Sequence, residues 1–114
     1  MCGFSGFAMV PQSILKEAAR RLAVRFKPQR IILFGSQARG EATRHSDVDL
    51  LVIGPYTRGR LDWMMKMDAS LKGLDISKDI VVLSPREYEE DKEIPGTVAR
   101  AASKEGKVLY AARS

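Results

Sequence analysis

The fold class this sequence predicts is α/β: a small mixed β-sheet with helices packed on one face. Three observations carry it. Residues 11–26 hold an apolar stripe at helical period, three apolar runs at 30–34, 47–53 and 79–83 have strand length, and helical segments alternate with those runs. At 114 residues the chain accommodates one domain with one modest core and leaves no spare length for a separate substrate-binding domain. The expected organisation is a loose arm over residues 1–10 followed by a single domain over 11–114.

In the first helix, Ile14, Leu15, Ala18, Ala19, Leu22, Ala23 and Phe26 fall on one stripe, with Pro11 near the first turn and Lys27-Pro28 as the stop. Residues 30–34 read as a buried strand, 36–41 as a short helix and 47–53 as a second strand. Gly54-Pro55-Tyr56 is a turn. Residues 61–71 have helical character, with Leu61, Met64, Met65 and Leu71 as the expected inner residues and Trp63 ambiguous. A third strand covers 79–83. Ser84 then caps a helix that has Pro85 at its first position, and a last helix over 96–105 stops at Gly106. Val108-Leu109-Tyr110 extends the apolar character towards the end, and packing is the expected role of Tyr110.

Chemistry concentrates between residues 30 and 54. An apolar run ends in Gly35-Ser36, and ten residues later Asp47-Val48-Asp49 opens another. On a strand, side chains at i and i+2 share a face about 7 Å apart along the chain, so Asp47 and Asp49 converge while Val48 turns away. Two bare carboxylates within about 4 Å repel by roughly 4 kcal/mol at an effective dielectric of 20, a cost that a divalent cation removes. Oxygen-only ligands suit Mg²⁺ or Mn²⁺. Gly35 allows a sharp turn and close approach to a phosphate, and Ser36 stands where a helix would begin, with free N–H groups for an anion. Asp79 opens the third strand much as Asp47 opens the second. His45, the only histidine, has no second imidazole for a histidine-based metal site and reads as a solvated loop residue.

Gly35-Ser36-x10-Asp47-x-Asp49 resembles the signature of nucleotidyltransferases of the DNA polymerase beta superfamily. The fuller Gly35-Ser36-Gln37-Ala38-Arg39-Gly40 with Ser46-Asp47-Val48-Asp49-Leu50 is similar to its minimal nucleotidyltransferase branch, over residues 12 to 110. The resemblance implies the nucleotidyltransferase fold and transfer of AMP from ATP to a hydroxyl acceptor, with two Mg²⁺ ions held by Asp47, Asp49 and Asp79. Asp79 would also take the proton of the attacking hydroxyl. Gly35, Ser36, Arg39 and Ser46 would bind the nucleotide. Many members of the branch are antitoxins paired with HEPN-domain toxins, so the resemblance further implies such a partner and a tyrosine acceptor on it. The competing expectations are an antitoxin that acts by binding alone and a nucleotidyltransferase acting on small molecules.

Charge bears on partners. Residues 1–60 carry ten Lys+Arg and four Asp+Glu, and residues 61–114 carry nine and ten, so +6 and −1 sum to the net +5 of the chain. A basic field around the motif attracts ATP, with Arg39, Arg44, Arg58 and Arg60 beside it in sequence. RNA binding is the lesser reading, because the cations of the first helix interleave with apolar residues as on a solvated face. No apolar stretch approaches the roughly 18 residues of a membrane span, and a single cysteine excludes an internal disulfide. A cytoplasmic location is expected, and a homodimer or hetero-oligomer stays open.

Overall fold

Leu15, Ala18, Ala19 and Leu22, spaced three and four apart, form the buried stripe of helix α1, Gln12–Phe26. The structure is a computed structural model that describes residues 12–35, 48–56, 58–74 and 76–112. The expected loose arm, Pro11 and the expected short helix at 36–41 lie outside the described residues. Helix α1 ends because Lys27 takes a left-handed conformation, φ 49°, and Pro28 follows.

Strand β1, Arg30–Phe34, runs antiparallel to β2, Val48–Ile53, with Phe34 opposite Asp49. Helix α2, Arg60–Ser70, then carries the chain back so that β3, Lys78–Leu83, lies parallel to β2. Such a crossover is what a parallel pair demands. Helices α3, Pro85–Asp91, and α4, Val98–Glu105, lead into β4, Lys107–Ala111, which pairs antiparallel with β1. The sheet order is β3-β2-β1-β4. Three strands match the expected runs, and the apolar tail at Val108-Leu109-Tyr110 supplies the fourth. Tyr110, opposite Ile31 and packed on the core, has the structural place expected of it.

The α/β class and the mixed sheet are as read from the sequence, but the helices are divided between both faces of the sheet, not gathered on one. Alternation along β1 and β2 explains this. Ile31, Leu33, Val48, Leu50 and Val52 join α1 and Met67 in one core, whereas Ile32, Leu51 and Ile53 face Tyr88, Ala99 and Ala102 of α3 and α4 in a second. A strand buried residue after residue needs cover on both sides.

Helix α2 also turns differently from expectation. Met67 and Leu71 are buried and Trp63 and Met64 pack against the first core, while Leu61 and Met65 are 70% and 64% exposed. The aromatic trio decides the rotation. Trp63 stacks edge-on with Phe26 at 6.0 Å and tilted on Tyr56 at 5.0 Å, and the Tyr56 hydroxyl donates to the carbonyl oxygen of Phe26. Burial, and secondarily Tyr110, pushes the Tyr56 phenol up to about 12. At the other end of α2, Arg21 of α1 donates to the carbonyl oxygens of Ser70 and Lys72.

Both later helices start as their sequences specify. Ser84 accepts from the N–H of Glu87 at 3.1 Å while the Glu87 carboxylate accepts from the N–H of Ser84 at 2.8 Å, a reciprocal cap with Pro85 at the first position. Thr97 caps α4 through the N–H of Arg100. Gly106 closes that helix, and no side chain fits there, because a Cβ would strike the Ala102 carbonyl oxygen and the Ile32 side chain.

Candidate active site

Asp49 is the second residue of β2 and Asp79 the second of β3, and because the two strands are parallel and in register these residues are directly paired neighbours. Thirty residues of sequence separate them, yet strand spacing puts their backbones about 5 Å apart with both side chains on one face of the sheet. Asp49 is half-buried and Asp79 is exposed. On the other side of β2, the chain leaves β1 at Gly35 with φ 76°. Its missing side chain is what makes room for the acid: a Cβ on Gly35 would overlap Asp49 Oδ2 and lie 3.2 Å from Asp49 Cγ. Glycine therefore serves twice here, by reaching a left-handed φ without strain and by letting a carboxylate rest against the backbone.

Of the residues expected at the site, the structure brings Gly35, Asp49 and Asp79 together. Ser36, Arg39, Ser46 and Asp47 lie outside the described residues, as do Arg44 and His45. Among the described residues, no group of three acids, histidines or cysteines could hold a metal ion. The carboxylate pair offers only oxygen donors, the ligand type suited to Mg²⁺.

Arg60, one of the cations expected around the motif, is placed otherwise. Arg60 donates to Glu87 at 2.7 Å, beside the cap of α3. That is the far end of β3 from Asp79, about 16 Å along the strand. Arg30 lies over the Tyr88 ring at 5.6 Å, also at that end. Arg20 and Arg21 both engage Glu17, whose carboxyl they hold down to about 2. The interleaving on α1 thus marks an ion-paired solvent face, and neither Arg30 nor Arg60 serves the Asp49 end of the sheet.

A concavity of about 330 Å³ lies between α2 and the start of β3, lined by Leu61, Met64, Met65 and Asp68 of α2 and by Lys78, Asp79 and Ile80 of β3. Leu61 and Met65, expected in the core, line this concavity instead. The available signal was the spacing 61, 64, 65, 68, one helical face that ends in a charge.

The fold is that of small nucleotidyltransferases. Crystal structures of similar fold include a provisionally named nucleotidyltransferase from Sulfolobus solfataricus, 24% identical, covering 87% of this chain and 78% of that chain with a TM-score of 0.60. An MntA-HpeT toxin–antitoxin mutant, 24% identical, covers 85% and 73% with a TM-score of 0.55. A toxin–antitoxin with AMP-PNP, 23% identical, covers 88% and 74% with a TM-score of 0.52. The chain belongs to the nucleotidyltransferase domain family, whose profile matches residues 15–110. A provisionally named protein adenylyltransferase of Methanocaldococcus jannaschii is 33% identical over 106 residues, 90% of this chain and the whole of that protein.

Proposed function

We propose that this nucleotidyltransferase moves AMP from ATP to a hydroxyl group of a partner protein, and that the partner is a HEPN-type toxin that it thereby silences. The observation that carries the reading is the in-register pair of Asp49 and Asp79 at the open end of two parallel strands, with Asp49 seated on Gly35. The M. jannaschii relative bears the name protein adenylyltransferase, and two structural neighbours are toxin–antitoxin assemblies, one with an ATP analogue. The other carries Asp-to-Glu substitutions two positions apart, the spacing of Asp47 and Asp49.

The residues assigned to the reaction are Asp47, Asp49 and Asp79, which fit two Mg²⁺ ions as all-oxygen ligands. When bound, these ions supply positive charge at the phosphates. Gly35 and Ser36 are assigned to the β- and γ-phosphates, and Arg39 and Ser46 to nucleotide binding. The acceptor oxygen forms a bond to the α-phosphorus as the bond to the bridging oxygen breaks, and pyrophosphate leaves. Asp79 accepts the hydroxyl proton, a role its exposure permits. A tyrosine is the acceptor this reading favours.

Intact-mass measurement tests the proposal. Wild-type protein with ATP, Mg²⁺ and a purified HEPN-type partner should add AMP to that partner, and an Asp47→Ala/Asp49→Ala double variant should add none. If the partner's mass stays unchanged and the double variant still suppresses the toxin fully, stoichiometric binding is the function.

A further inference from the structure

Across the sheet from the Asp49 and Asp79 side chains, helices α1 and α2 pack side by side on the first core. Phe26 meets Trp63 near the start of α2 while Arg21 reaches Ser70 at its end, so the two run antiparallel. Two hollows of about 330 and 360 Å³ open along the crevice between them and share Arg25 and Ser70 as walls. Arg20 and Arg21 also line the first and Lys66 the second, and no described acid lines either. Outside the walls, Glu17 is shared by Arg20 and Arg21, and Asp62 meets Lys66 at 3.1 Å in an exposed pair of the kind that contributes little. Arg25 is exposed with no ion-pair partner among the described residues. The groove therefore stays positive on balance. The sequence pattern hides this, because Lys66 joins the α1 cations only when α2 packs against α1.

What the walls can give selects the occupant. Helix flanks have their backbone groups bonded internally, and the Ser70 hydroxyl already donates to the carbonyl oxygen of Met67. The groove thus offers guanidinium and ammonium donors beside apolar Val24, Phe26 and Ala69. A peptide laid there brings N–H groups, for which these walls supply no carbonyl or carboxylate. A phosphodiester backbone brings only acceptor oxygens and negative charge. An isoelectric point of about 9.6 with cations gathered along one helix is the electrostatic footprint of that partner. We infer that the α1–α2 groove binds the backbone of a single-stranded nucleic acid, with the exposed cations Arg20, Arg25 and Lys66 as its phosphate contacts. Half-buried Arg21 fixes the helix pair through the Ser70 and Lys72 carbonyl oxygens. A crevice between two helices admits one backbone and not the convex face of a duplex. The inference does not rest on AMP transfer, since groove and carboxylates lie on opposite faces of the sheet.

The test is fluorescence anisotropy of the whole protein with labelled single-stranded RNA and DNA of about 12 nucleotides, in excess Mg²⁺ and ATP so that the nucleotide site is filled. Binding should saturate with a Kd on the order of 1–100 μM near physiological salt and weaken as salt rises. Arg25→Gln/Lys66→Gln keeps good helix formers at exposed positions and should fold normally. It should weaken binding about tenfold or more and make the logarithmic salt slope shallower by about 1.4, at about 0.7 per phosphate contact on a single strand. Lys104→Gln/Lys107→Gln removes the same charge from α4 and β4 and should change affinity by less than about twofold. Equal losses in the two double variants would reveal a diffuse field and overturn the groove. So would absence of saturable binding, or equal affinity for a duplex. Equal affinity for a polyglutamate peptide of matched charge would overturn it too, by assigning the face to an acidic protein. With the loss confined to the groove variant, tighter binding of RNA than of DNA names RNA as the source, and equal binding identifies recognition of the backbone alone.

Discussion

Gly35 is where a single residue decides whether the site can exist. Its φ of 76° costs an L-residue about 1–2 kcal/mol, and its missing Cβ is the space that Asp49 occupies. Gly35→Ala should therefore lose about 1–3 kcal/mol in urea unfolding, combining backbone strain with the displaced carboxylate. Adding Asp49→Ala should return the steric share and leave the backbone share, so the pair should be non-additive. Strict additivity would show that the two residues do not meet. Gly35, Asp49 and Asp79 were legible as candidates because residue type and spacing restrict which chemistry they suit. That Asp79 stands beside Asp49 followed from the family resemblance and not from local pattern, since adjacency across thirty positions is fixed by strand order.

At the scale of elements, local chemistry is legible in the sequence and helix rotation is not. The cap at Ser84-Pro85-Arg86-Glu87 is written in four consecutive residues and forms as its chemistry requires. Ser84→Ala should cost about 1 kcal/mol, checked by urea denaturation. Glu87 adds a pH dependence. The N–H of Ser84 first, and the Arg60 guanidinium second, hold its carboxyl below the ordinary value of 4.5. A folded-state pKa that is depressed means a contribution present above the unfolded value and lost as pH falls through the folded one. The stability gap between wild type and Glu87→Gln should thus be steady at neutral pH and close below about pH 4.5, and a gap that widens on acidification would contradict the assignment. Helix α2 shows why rotation escaped the sequence. Leu61-Met64-Met65 and Trp63-Met67-Leu71 are both apolar at helical spacing, and only the Phe26 and Tyr56 rings decide that the second turns inward. Strand β4 was missed for a related reason: Val108 is 58% exposed, so the segment shows no clean alternation.

For the whole molecule, the two cores on either side of one sheet explain how so short a chain holds a site rigidly. The central strands β1 and β2 are buried on both faces, and Asp49 and Asp79 sit near the starts of β2 and of its edge neighbour β3. The split between faces was not legible because period-2 alternation vanishes when both sets of side chains are apolar. A site of fixed carboxylates at a sheet end should couple nucleotide binding to global stability. Anything that binds only the folded state adds RT ln(1 + [L]/Kd), about 2.7 kcal/mol at one hundred times Kd. For a domain of this size that raises Tm by roughly 10 °C. Scanning calorimetry with Mg²⁺ and ATP together should show that rise, and Asp49→Asn should lose most of it, because a neutral amide ligates a divalent cation more weakly than a carboxylate. Removing Mg²⁺ with a chelator should reduce the wild-type rise to that of the variant. An equal rise in wild type and Asp49→Asn would place the nucleotide elsewhere on the molecule and detach Asp49 from the phosphate site.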